Sequence, residues 1–105
     1  MEGPRLEGEA ALAVARALVD AAGLAQRVEA TLDPRGGRLL VCGPESFGLF
    51  GSAMYRALPV PLPATRKALA VAVARHALEE FHATEGEILD RAAEVPLGLA
   101  VALTA

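Results

Sequence analysis

The stretch AQRVEATLDPRGGRLLVCG, residues 25–43, decides the fold class. Its first half alternates, with Arg27, Glu29 and Thr31 on one side and Val28, Ala30 and Leu32 on the other. A two-residue period of this kind is the mark of a half-buried strand. Pro34 fixes its own φ, and Gly36 and Gly37 tolerate positive φ, so PRGG supplies a turn. RLLVCG then runs apolar on both faces, the pattern of a strand placed centrally in a sheet. Residues 25–43 therefore predict a β-hairpin.

Outward towards the N-terminus, residues 7–22 carry helical spacing. Leu12, Ala15, Leu18, Val19 and Ala22 share a broad face, while Glu9, Arg16 and Asp20 form a narrow polar strip. Gly23 stands where a left-handed residue ends a helix, and Leu24 is available for the hydrophobic contact that accompanies it.

Outward towards the C-terminus, GPESFGLFGSAMY, residues 43–55, holds three of the four aromatic side chains and three glycines. Gly43 suits an N-cap, Pro44 a first helical position and Glu45 the positive end of a helix dipole. Phe47, Phe50 and Met54 then recur at helical spacing. The expected element is a short amphipathic helix plugging one end of the core, with close backbone approach offsetting Gly48 and Gly51, each about 1 kcal/mol worse than Ala in a helix. The same apolar side chains, with Tyr55 and Arg56, are the candidate partner-binding residues. LPVPLP, residues 58–63, reads as an extended connector or a sheet edge, because Pro59, Pro61 and Pro63 have no N–H for a central ladder.

Residues 64–83 predict a second long helix. Val71, Ala74, Ala77, Leu78 and Phe81 lie on its apolar face, and Arg75, His76, Glu79, Glu80 and His82 fan across the other. TEGE at 84–87 fits a capping box opening a helix from 85 to about 94, stopped by Pro96. A strand over 87–95 with a turn at VPLG is the competing reading. LGLAVALT, residues 97–104, is expected to close the chain as a buried strand. If 87–95 is a strand too, the order αββαββ resembles that of roadblock-type dimerisation domains, a likeness of element order alone that carries no function.

These elements give one α+β domain over residues 1–105. Two layers are expected: an antiparallel sheet of three to four strands and two long helices on one face.

Composition excludes several functions. The chain is 53% hydrophobic and 22% charged with net charge −3, which is globular and not basic. Its densest basic spots are pairs, Arg35 with Arg38 and Arg66 with Lys67, too few to neutralise the phosphates of a nucleic acid. A single cysteine, Cys42, rules out an internal disulfide and a cysteine-rich zinc site and suits a reducing cytoplasm. Arg16 and Asp20 interrupt the first apolar stretch, a poor signal peptide, and no 18-residue apolar run is long enough to span a membrane. The expected setting is cytoplasmic. Arginine outnumbers lysine nine to one, asparagine is absent and Gln26 is the single glutamine, a composition found in heat-adapted proteins.

Motifs for chemistry are sparse. GPESFGLF has the glycine spacing of a phosphate loop, but Leu49 and Phe50 replace its lysine and hydroxyl residue. Ser46 lacks the preceding glycine of a nucleophile elbow, Pro44 standing there instead. Cys42 ends a strand before the expected helix, where a thiol pKa is lowered, yet in LLVC it reads as a small buried hydrophobe. Glu79 and His82 form an ExxH pair beside His76. With no second ExxH to complete a bundle metal site, the face reads as solvated ion pairs. Neither a metal nor a cofactor is expected.

Both long helices carry apolar arcs wider than one sheet contact needs. The expected function is therefore a non-enzymatic interaction or assembly domain that binds itself as a homodimer or another protein. The alternative is a small-molecule or enzyme site between residues 43–56 and the helix at 64–83, with Cys42, Ser46, Tyr55, Arg56 and His76 as its polar groups.

Overall fold

The computed structural model describes residues 3–35, 37–47 and 52–104, and for 45–47 and 52–55 the backbone alone. The fold is α+β, with a three-stranded antiparallel sheet, a two-stranded sheet and several helices. The chain runs β1 (Arg5–Leu6), α1 (Gly8–Ala21), β2 (Glu29–Leu32), β3 (Arg38–Phe47), β4 (Ser52–Pro61), β5 (Ala64–Thr65), α2 (Arg66–Ala77), α3 (Glu85–Asp90), a 3-10 turn (Ala92–Glu94) and α4 (Leu97–Thr104). The larger sheet has the order β2-β3-β4, and β1 pairs with β5 to tie the N-terminus to the start of α2.

β2 and β3 form the expected hairpin, starting at Glu29 instead of 25, with Glu29 opposite Cys42 and Leu32 opposite Leu39. In its turn the Asp33 carboxylate accepts from the Arg35 backbone N–H at 2.9 Å and from the Arg38 guanidinium at 2.9 Å. These contacts hold the carboxyl below its ordinary range, the Arg35 N–H having the larger effect.

The plug helix expected within 43–55 is not what forms: residues 43–47 and 52–55 continue β3 and β4, in register from Arg38↔Pro61 to Phe47↔Ser52. The ladder begun in RLLVC simply propagates, and a helix containing Gly48 and Gly51 would have had to displace it. β4 is an edge strand. The Leu62 N–H bonds to the Gly37 carbonyl, so even-numbered residues of β4 turn their amides to β3 and odd ones turn them outward. Pro59 and Pro61 thus sit where their missing N–H groups blunt the edge.

α1 matches its expected span and end. Gly23 has φ +69°, its N–H bonds to Asp20 O and that of Leu24 to Val19 O, both at 3.0 Å. Val19 and Leu24 are buried together, completing the motif.

α2 departs from expectation. Thr65 caps its start, accepting from the Ala68 N–H at 3.1 Å, but the helix stops at Ala77. Glu79 takes φ +58°, its N–H bonds to His76 O, and the Glu80 N–H bonds to Arg75 O at 2.8 Å. This is the same left-handed terminus as in α1, built on a glutamate. Glu79, Glu80 and His82 therefore leave the helical face assigned to them. Every residue from Leu69 to Ala74 is buried, so α2 is a central helix with no polar side along that stretch. It packs on β3 and β4, and also on α1, α3 and α4.

The capping box is formed. Thr84 Oγ1 accepts from the Glu87 N–H, and Glu87 Oε1 accepts from the Thr84 N–H, each at 3.3 Å. Helix, not strand, therefore follows residue 84. The last element corrects the terminal strand: LGLAVALT is α4, with Leu99, Ala102 and Leu103 buried at i, i+3 and i+4. Leucine and alanine favour helix, and a wholly apolar run carries no period to separate the two. The αββαββ order is accordingly absent. Gly98 brings α4 close to α1, where an added Cβ would lie 3.0 Å from the Ala21 Cβ. The apolar surplus of α1 and α2 is thus partly spent within the chain, under α4.

Candidate functional site

The two faces of the larger sheet follow from register and burial. Ala30, Leu39, Val41, Gly43 and Val60 are buried under the helices, and Arg56 and Leu58 are half-buried on the same side. Leu40, Cys42 and Pro44 are half-buried on the other side, with Thr31; Glu29, Ala57, Pro59 and Pro61 are exposed there.

On the helix side, the polar groups gather around His76. Its ring is 5% exposed and lies against β3, with Nε2 3.2 Å from the Val41 carbonyl oxygen. A carbonyl accepts only, so Nε2 carries the proton and donates. The ring fits because residue 43 has no side chain: a Cβ there would lie 2.7 Å from His76 Nδ1 and 3.1 Å from Val28 Cγ2. Gly43 is thus a strand residue required by a neighbouring ring, not a helix cap. Arg56 faces Gly43 across the β3–β4 ladder. Its guanidinium carbon is 5.6 Å from the centre of the Phe81 ring, a cation–π distance, and the His76 and Phe81 ring centres are 6.0 Å apart. The His82 and Phe81 ring centres are 5.3 Å apart with the planes perpendicular, an edge-to-face pair. Arg56, Phe81 and His76 form one cation–aromatic–imidazole row between β4 and the end of α2.

Cys42 is brought to the opposite side of the sheet, away from Arg56 and His76. It lines a hollow of about 380 Å³ with Ala25, Gln26, Arg27, Val28 and Glu29. Burial pushes its thiol pKa up and the nearby Glu29 carboxylate pushes it further. Both effects favour the protonated, unreactive thiol, the reverse of what a strand end before a helix would have given.

Of the other candidates, Phe50 lies outside the described residues, as do the side chains of Ser46, Phe47, Met54 and Tyr55; the backbones of those four are in β3 and β4. Glu79 approaches Arg27 at 4.0 Å, on the surface, and Glu80 pairs with Arg91, which also binds Glu94 at 2.7 Å. His76, Glu79 and His82 do not share a face, and among the described residues no three metal-ligating side chains come together. No helix is long and apolar enough to cross a membrane, among the residues described.

Sequence reasoning missed the seating of His76 and the role of Phe81. A lone glycine at the end of an apolar strand run was the available signal, since such a glycine marks close approach of another group. The chain matches no protein-family model, no curated protein and no solved structure.

Proposed function

We propose that this chain is a small non-enzymatic assembly domain that pairs with a second copy of itself through the open face of its β2-β3-β4 sheet. One observation carries the reading. β3 is apolar towards both faces, yet Leu40, Cys42 and Pro44 are only half-buried, and among the described residues the partly buried apolar side chains packed against the core include Leu32 and Leu58 but not Leu40. Antiparallel sheets that face water on one side alternate apolar and polar residues, whereas continuous apolar runs belong to strands covered twice. Pro59 and Pro61 favour face packing over edge pairing, because the outward edge of β4 lacks donors at those positions. A second copy supplies the same apolar strip, so an isologous contact covers both at once, with two sheets about 10 Å apart.

Size sets the strength. Seven rows of β3 and β4, widened by the four residues of β2, cover roughly 290 Å² per copy, about 580 Å² in total, below the roughly 1,000 Å² of a durable interface. Self-association is therefore weak and concentration-dependent. Sedimentation equilibrium across about 10 µM to 1 mM tests it, that being the range of weak dissociation constants. Reversible dimerisation that Leu40→Glu abolishes is the expected result. A wild-type monomer throughout, or a dimer indifferent to Leu40→Glu, removes the reading.

A small-molecule site between β4 and α2 is the second reading, supported by the meeting of Arg56 and His76 at Phe81. Chemical-shift changes clustered on Arg56, Phe81 and His82 in a fragment screen would support it, and a screen blank at those residues would discard it. A cytoplasmic setting belongs to the first reading and is supported by the single thiol. Heat adaptation, supported by the scarcity of amides, fails if the domain melts within the usual mesophile range of about 45–65 °C.

A further inference from the structure

We draw no further inference here: the strongest candidate, the exposed ridge of Leu97 (80%) and Val101 (58%) on the outer side of α4, is an apolar face and nothing in the structure shows what covers it.

Discussion

Gly43→Ala probes the contact on which the helix side of the sheet depends. In an unobstructed strand this change gains roughly 0.5–1 kcal/mol, because alanine loses less backbone entropy than glycine. Here the new methyl meets His76 Nδ1 at 2.7 Å, Cε1 at 3.0 Å and Val28 Cγ2 at 3.1 Å. Relieving such overpacking costs about 1–3 kcal/mol. If the ring tilts away, the Nε2 bond to Val41 O is lost too, for about another 1 kcal/mol. The balance is a net loss of about 1–3 kcal/mol, each kcal/mol lowering the melting midpoint by roughly 4–8 °C. Urea unfolding of the single variants and of the pair with His76→Ala measures it as a cycle. His76→Ala costs stability by itself, but in its background Gly43→Ala is expected to be neutral or stabilising, a coupling of at least about 1 kcal/mol. The reasoning is refuted if Gly43→Ala stabilises the wild type, or if its penalty is the same with and without the imidazole.

The two left-handed helix ends predict opposite signs for exchanges of glycine. Glu79→Gly relieves a strained backbone worth about 1–2 kcal/mol, less the glycine's unfolded-state entropy, for a net gain of roughly 0.5–1 kcal/mol in urea unfolding. Gly23→Ala loses about 1 kcal/mol for the converse reason, and a matching sign in the two variants would contradict the assigned conformations. Asp33→Asn keeps the acceptor for the Arg35 N–H and removes the charge. Since the Asp33 pKa is depressed in the fold, its stabilisation is present above the unfolded carboxyl value near 3.8 and vanishes as pH falls through the lower folded value. The wild-type advantage over Asp33→Asn should therefore be visible at neutral pH and shrink below about pH 4; an advantage unchanged down to pH 2 would assign it to something other than the charge.

Local signals with a stereochemical cause are legible. The alternation over residues 29–32, the turn at Pro34 and Arg35, Gly23 as a helix end and the Thr84–Glu87 capping box all appear where the sequence places them, though the strand begins at Glu29 and not at 25. Signals needing tertiary information are not. α4 has no polar residue before Thr104 to reveal its period, and only its packing against α1 and α2 distinguishes helix from strand. Glu79 ends α2 in a conformation usually given to glycine, so periodicity alone carries the helix past Ala77 to residue 83 and leaves His76 on a solvated face. The aromatic and glycine spacing in 43–55 imitates an amphipathic helix, whereas pairing from Arg38 onward governs the backbone on both sides. At the candidate site, the sequence points to Arg56 and His76 separately, while Phe81, the ring between them, reads as core. Most consequentially, the wide apolar arc of α2 reads as surface for a partner, and α4 covers part of it. The case for association therefore rests on the sheet and not on the helices.

Alkylation of Cys42 by a maleimide reports directly on whether that sheet face is covered. The thiol is half-buried in the single chain and lies on the central strand of the open face, opposite Glu29. In a face-to-face pair it becomes inaccessible. The rate constant is expected to fall as protein concentration rises through the dissociation constant, and Leu40→Glu is expected to restore the dilute-solution rate at every concentration. A rate constant unchanged between about 10 µM and 1 mM would mean that nothing of this chain covers the face at even millimolar affinity, and the proposed assembly would be contradicted.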